Sequence, residues 1–184
     1  MKKFRVLSVD PGSTNFGFSI IEVFNKKPRI VACGLLDKRY LIHSLNEQTL
    51  SAAVMTFQKA FTALLRSSRA DCISAERYLI QRRGTTGESV NMMLAIMAAS
   101  GKPMQIFMAA TWKAKLKKHL GCNLEEVYKI TRSGKKLIPD HAIDATMQGL
   151  FFCERELQVP LRWKSKELSK RITDSFVDVW PKGK

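Results

Sequence analysis

The strongest structural signal in this chain lies near its N-terminus, in the stretch Val6-Leu7-Ser8-Val9-Asp10-Pro11-Gly12-Ser13-Thr14-Asn15-Phe16-Gly17-Phe18-Ser19-Ile20-Ile21. The apolar run before Asp10 is typical of a buried strand, and Pro11 and Gly12 then turn the chain into a second apolar run. Asp10 is therefore expected at the end of a central strand, at the edge of the core. A carboxylate there needs a partner, and a metal ion is one candidate. The alternative is that Asp10 simply begins a turn.

The elements that follow this hairpin are typical of an α/β fold. A turn at 25–28 leads to a third strand, so strands at 4–10, 16–23 and 29–36 form an antiparallel meander. The other predicted elements are strands at 71–75 and 103–108 and helices at 44–69, 88–100, from 111, from 123, from 139 to 154 and at 165–177. We predict a ribonuclease H-like mixed sheet, a three-strand antiparallel meander plus two parallel strands, with helices on both faces.

Several helix ends carry capping signals. The pattern Ser44-Leu45-Asn46-Glu47 fits a capping box, and Thr111 and Asp140 are expected as N-caps of later helices. Residues 1–157 are predicted to form one domain, with 158–184 as a basic, helical C-terminal extension of that domain.

The charge of the chain is its most unusual bulk property. Its 184 residues include 31 Lys and Arg against 16 Asp and Glu, a formal net charge of +15. Such an excess favours a polyanionic partner, most often nucleic acid, with an anionic membrane surface as the lesser alternative. No apolar run reaches membrane-spanning length, and Met1-Lys2-Lys3-Phe4 leads straight into the first strand without a signal-peptide core.

The four cysteines, Cys33, Cys72, Cys122 and Cys153, are scattered and form no C-x-x-C pair. This spacing predicts reduced thiols rather than a zinc site or a disulfide framework. We therefore expect an intracellular protein.

Three acidic residues and a histidine are expected at corresponding ends of elements. Asp10 closes the first strand, Glu76 closes the fourth, and His141 and Asp144 share one face of the helix that begins at Pro139. Converging carboxylates repel one another, and a divalent cation removes that conflict. Oxygen ligands suit Mg²⁺, or Mn²⁺ in its place, and two such ions would suit hydrolysis of a phosphodiester.

Taken singly, each of these residues has an ordinary structural explanation. Glu76 could be a solvated strand-end residue, Asp144 an acid favoured by the helix dipole, and His141 a surface or core histidine. Asp140 precedes His141, so either could face the site, although the spacing favours His141 with Asp144. The joint arrangement of the four along one fold is what favours a metal centre.

At these positions the chain resembles RuvC-type Holliday junction resolvases, in particular their phage-borne branch. The resemblance covers residues 4–154 and rests on the turn from Asp10 to Gly17 (Asp-Pro-Gly-x-x-x-x-Gly), on Glu76, and on His141-Ala142-Ile143-Asp144-Ala145. It implies metal-dependent cleavage of branched DNA by a homodimer. The family carries an aromatic residue three positions after the second acid, where this chain has Leu79, and Tyr78 lies one position earlier.

The residues expected to contact DNA lie in two basic segments. Their charges could belong to solvated faces, but an excess of cations in a chain with an acidic site favours phosphate contacts. The predicted DNA-binding residues are Tyr78, Arg82, Arg83, Lys113, Lys115, Lys117 and Lys118.

The helix at 88–100 is predicted to form the homodimer interface. Its residues from Met92 to Ala99 leave no polar stripe, so the helix is expected to be covered on all sides, either by a second copy or within its own fold.

Two other functional classes are compatible with part of the pattern. A phosphotransferase of the actin–hexokinase superfamily has a similar first phosphate loop, but it needs a second domain and a second loop that this chain lacks. A non-catalytic DNA-binding scaffold explains the charge but not the acids at three element ends.

Overall fold

The structure is a computed structural model that describes residues 3–43, 45–77, 85–119, 123–134, 137–161 and 163–181. The strands are β1 (Phe4–Pro11), β2 (Phe16–Phe24), β3 (Lys27–Leu36), β4 (Cys72–Arg77), β5 (Met104–Met108) and β6 (Phe176–Trp180). The helices are α1 (Glu47–Ser68), α2 (Thr85–Ala98), α3 (Ala109–His119), α4 (Leu124–Ser133), α5 (Asp140–Glu156) and α6 (Ser165–Ser175), with a short 3-10 helix at Lys38–Tyr40.

The strands form one mixed sheet in the order β5-β4-β1-β2-β3-β6. Strands β1, β2 and β3 pair antiparallel, whereas β4 is parallel to β1 and β5 is parallel to β4. This arrangement confirms the predicted fold class. The sixth strand was not predicted: β6 runs parallel to β3 and covers the edge that the meander alone would leave open.

Helices cover both faces of this sheet and create two apolar cores. One core lies between the sheet and α5, together with α3, α4 and α6, and Trp112 and Phe151 are among its fully buried side chains. The other lies between the sheet and helices α1 and α2, where Phe16, Phe57 and Phe61 pack as aromatic neighbours.

Two glycines allow α5 to approach the sheet closely. A Cβ at Gly17 would lie 1.9 Å from the carbonyl oxygen of His141, and a Cβ at Gly149 would lie 2.7 Å from the Cβ atom of Ser8. Any larger residue at either position would push α5 outward. The first turn of α5 is therefore fixed against the β1–β2 turn, and this contact places the functional site.

The predicted helix caps are corrected in three places. Asn46 caps α1 by accepting a hydrogen bond from the Gln48 N–H, so the capping box at Ser44 is wrong, and Ser44 itself lies outside the described residues. Helix α3 begins at Ala109, which places Thr111 inside it. Pro139 occupies the N-cap of α5, so Asp140 is its first helical residue rather than its cap.

The C-terminal segment attaches to two parts of the fold. Helix α6 packs on α4, with Leu168 and Ile172 fully buried, and β6 then pairs with β3. In the described part of the chain no helix is both long and apolar enough to span a membrane.

Candidate active site

Asp10 and Glu76 lie on adjacent parallel strands at the same edge of the sheet. The register pairs Val9 with Ala75, so the two acids follow side by side on β1 and β4. Asp10 is buried and Glu76 is half-buried. Their side chains point to the α5 face, because each lies two residues beyond a serine, Ser8 or Ser74, that contacts α5 through Gly149 or Gln148.

His141 bonds directly to Asp10. Its Nδ1 lies 2.6 Å from the Asp10 Oδ2, across the close contact between α5 and the β1–β2 turn. This hydrogen bond raises the pKa of His141 above its usual value, although burial of the ring opposes the shift. The imidazole is thus held in one orientation, with its Nδ1 occupied.

Asp144 receives two donors from two different helices. The Lys113 ammonium on α3 lies 2.9 Å from Oδ2, and the Tyr128 hydroxyl on α4 donates to Oδ1. Burial works to lower the pKa of Lys113, but the hydrogen bond with Asp144 and the charges of Asp144, Glu76 and Asp10 raise it overall. Lys113 therefore stays charged and lies within the field of all three acids.

Glu76 has the most perturbed carboxyl group of the site. Burial, and then the negative charge of Asp10, raise its pKa to about 7. The indole N–H of Trp112, 2.9 Å from the Glu76 Oε2, and the charge of Lys113 offset only part of this shift. The positive charge of Lys113 is therefore not enough to keep this carboxyl group fully ionised at neutral pH.

The residue types at this site suit a hard divalent cation, but their present contacts do not form a coordination shell. Asp10, Glu76 and Asp144 supply carboxylate oxygens, which are the ligands that Mg²⁺ and Mn²⁺ prefer, and His141 adds an imidazole. In the described ranges, no three such groups converge closely enough to hold an ion. Side chains of the protein itself take up their oxygens instead, so metal binding requires some of these contacts to be exchanged.

Two residues of the site were not expected from the sequence. Trp112 and Tyr128 each donate to a predicted acid, from positions 36 and 16 residues away along the chain. The one available signal was the placement of a tryptophan and a tyrosine, both with polar groups, on helices that flank the site. Lys113 was expected to contact phosphate, and the structure places it among the acids.

The other predicted residues fall around or outside this centre. Asp140 is exposed and pairs with Arg132, so of the two candidates it is His141 that contacts Asp10. Lys115 is exposed on α3. Lys117 and Lys118 belong to α3 but their side chains, together with all of Tyr78, Arg82 and Arg83, lie outside the described residues.

Comparison with known proteins agrees with this architecture. No family model matches the chain. A crossover junction endodeoxyribonuclease RuvC from Prochlorococcus marinus (strain NATL1A) is 24% identical over 152 residues, which cover 77% of this chain and 92% of that protein. A second RuvC, from strain NATL2A, is 24% identical over 116 residues, covering 58% of this chain and 71% of that protein.

Two solved structures share the fold. A T. thermophilus RuvC in complex with a Holliday junction substrate has a TM-score of 0.62 at 17% identity, over 86% of this chain and 98% of that one. The yeast mitochondrial Holliday junction resolvase Ydc2 has a TM-score of 0.60 at 13% identity, over 93% of this chain and 86% of that one. This chain is therefore similar in sequence to RuvC endodeoxyribonucleases over most of its length and shares its fold with these two resolvase structures.

Proposed function

We propose that this protein is a structure-specific endodeoxyribonuclease that cleaves branched DNA and resolves Holliday junctions by paired, symmetric nicks. The single observation that carries the proposal is the arrangement of Asp10 and Glu76 at the ends of adjacent parallel strands, where His141 of α5 bonds to Asp10 and the charge of Asp144 acts on Glu76. The sequence relatives are crossover junction endodeoxyribonucleases, and one structural relative binds a Holliday junction substrate.

Mg²⁺ is the expected cofactor, as two ions that Mn²⁺ can replace. Asp10, Glu76, Asp144 and His141 would hold them, and bound ions of this kind generate a hydroxide nucleophile and stabilise the leaving 3′ oxygen of a phosphodiester. The residues present support this assignment, because a buried carboxylate group with a raised pKa gains most from a nearby cation.

The protein's own side chains have separate roles in this proposal. Asp10, through its hydrogen bond, orients the His141 ring, and Trp112 orients the Glu76 carboxyl group. Lys113 supplies a permanent positive charge beside the acids, so it can pass from Asp144 to a phosphate oxygen of the bound strand. This exchange would free Asp144 for a cation when DNA arrives.

DNA binding is assigned to two basic segments that adjoin residues of the site in the sequence. Lys115, Lys117 and Lys118 follow Lys113 on α3, and Arg82 and Arg83 follow the strand that carries Glu76. Tyr78 is proposed to stack on a base at the junction. A protein that acts on DNA in a bacterial or phage-infected cell would work in the cytoplasm.

The first experiment tests cleavage of a synthetic four-way junction with and without Mg²⁺. We expect symmetric nicks that require the metal, and loss of cleavage by at least about 100-fold in Asp10→Asn, with junction binding retained. Lys26→Gln, an exposed change in the β2–β3 turn, serves as the control and should cleave normally. Metal-independent binding without nicks would indicate a scaffold, and turnover of ATP would indicate a phosphotransferase; either result would refute the proposal.

A further inference from the structure

The two oxygens of Asp144 face different parts of the protein. Oδ2 accepts a hydrogen bond from the Lys113 ammonium on α3. Oδ1 accepts a hydrogen bond from the Tyr128 hydroxyl on α4. In the proposed function Lys113 passes to a phosphate of the DNA, so Oδ2 becomes free while Tyr128 still holds Oδ1.

Tyr128 is itself fixed by a second contact between the same two helices. The Arg132 guanidinium lies 5.3 Å from the centroid of the Tyr128 ring and forms hydrogen bonds of 2.7 and 2.6 Å with both oxygens of Asp140. The residues in each helix are four positions apart, so one turn of α4 is joined to one turn of α5 at two points. Rotation of α4 away from Asp144 would break both the Tyr128–Asp144 and the Arg132–Asp140 hydrogen bonds.

Helix α4 is also supported from its other side by α6. Val127, the neighbour of Tyr128, is fully buried in the same core as Leu168 and Ile172. The backbone N–H of Asn123, the N-cap of α4, donates to the Ser165 hydroxyl at 3.2 Å. The C-terminal segment therefore sets the position of the helix from which Tyr128 reaches the site.

We propose that Tyr128 is a positioning residue that holds Oδ1 of Asp144 and so presents Oδ2 to the bound cation. This inference rests on the proposed function, in which Asp144 is a metal ligand. A carboxylate restrained by a neighbouring donor loses less freedom when it binds a metal, and removal of such outer partners typically weakens metal affinity about 10- to 100-fold. Tyr128 does not itself touch the metal or the DNA.

The test is Tyr128→Phe in the full chain, which removes the hydroxyl and keeps the ring. We expect Mn²⁺ binding, measured by isothermal titration calorimetry without DNA, to weaken about tenfold. The Mn²⁺ concentration for half-maximal cleavage of a four-way junction should rise by a similar factor, while the rate at saturating Mn²⁺ stays within about threefold of wild type. Tyr40→Phe, at a half-buried tyrosine that ends the 3-10 helix, is the matched control and should change neither quantity.

A double-mutant cycle separates positioning from a general packing role. If Tyr128 acts through Asp144, then Tyr128→Phe should weaken Mn²⁺ binding in the wild-type chain but have no further effect in an Asp144→Ala background. The comparison remains valid if Tyr128→Phe lowers the thermal midpoint of unfolding. A packing defect would weaken Mn²⁺ binding in both the wild-type and the Asp144→Ala chains, whereas a positioning role would do so only in the wild-type chain.

The outcomes distinguish this inference from the proposed function. Wild-type Mn²⁺ affinity in Tyr128→Phe, or an equal loss in both backgrounds, would overturn the role of Tyr128 while junction cleavage stands. A wild-type protein that binds no Mn²⁺ and leaves junctions uncut would overturn both.

Discussion

Burial and the charge of Asp10 raise the pKa of Glu76 to about 7, against an ordinary value of 4.5. Because of this shift, Glu76 makes the stability of the metal-free protein depend on pH. The unfolded chain releases the proton near pH 4.5, whereas the folded chain keeps it up to about pH 7. Between these values the folded state binds more protons, so stability falls as the pH rises. Above pH 7 the folded protein carries an ionised, half-buried carboxylate whose cost Lys113 offsets only in part.

Glu76→Gln should therefore stabilise the metal-free protein at pH 8, and by less than about 1 kcal/mol at pH 5, where only the unfolded chain has lost much of its proton. The expected gain at pH 8 is about 1–3 kcal/mol, reduced from the full pKa shift because the group is partly exposed. The measurement is urea unfolding in EDTA at both pH values. The exposed Glu126→Gln is the control, since its effect should be the same at both. Equal effects of Glu76→Gln at pH 5 and pH 8 would contradict the assigned environment.

The acids of the site were predictable from the sequence, but the side chains that donate hydrogen bonds to them were not. Asp10, Glu76 and Asp144 could be predicted as one site because the local sequence pattern places them at the ends of two strands and near the start of a helix. Their donors could not, because Trp112 and Tyr128 reach the site only through the packing of α3 and α4 on the sheet. Hydrogen-bond partners of this kind depend on side-chain directions that no periodicity encodes.

The strands of the meander were predicted from their apolar runs and the helices largely from their end signals, whereas β6 was not predicted. The sequence pattern predicts a helix to residue 177, but the structure ends α6 at Ser175 and begins β6 at Phe176. The strand is only five residues long and pairs in parallel with β3, with Phe176 opposite Cys33. A short strand stabilised by a partner more than 140 residues away has no local signal.

Helix α6 is expected to be a structural part of the fold, with Leu168 as its main apolar anchor. This side chain is fully buried between α6 and α4, so Leu168→Ala should destabilise the protein by about 2–5 kcal/mol. Urea unfolding monitored by tryptophan fluorescence measures the change. Lys166→Ala, an exposed substitution two residues earlier on the same helix, should alter stability by less than about 0.5 kcal/mol. If both variants unfold like the wild type, α6 does not support α4.

At the scale of the whole molecule, paired nicks in a four-way junction require two sites, and one chain supplies one. A two-fold homodimer provides them with a single repeated interface. Helix α2 was expected to be apolar on every side, but the structure shows two distinct faces. Met93 and Met97 are fully buried against the sheet, whereas Ala95 and Ala98 are exposed. The buried methionines belong to the core of the chain, so only the outer face remains for a partner.

That outer face gives the last prediction. Ala95→Glu with Ala98→Glu should place like charges across a dimer axis and shift the protein from twice 20.9 kDa to the monomer mass in sedimentation velocity at micromolar concentration. Both sites are exposed, so the fold should survive, whereas Met97→Glu should unfold the chain by burying a charge. Ala52→Glu with Ala63→Glu, exposed alanines on α1, is the matched control and should stay dimeric.

The functional consequence of this change is specific to paired cleavage. On a supercoiled plasmid with an extruded cruciform, the dimer should release linear product, because both strands are cut within one binding event. The α2 variant should yield nicked circles first, since each monomer cuts one strand and dissociates before the second cut. Linear product from a protein that sediments as a monomer would show that paired cleavage does not depend on this face. If the wild-type protein is monomeric even when bound to junction DNA, the proposed two-fold homodimer is refuted.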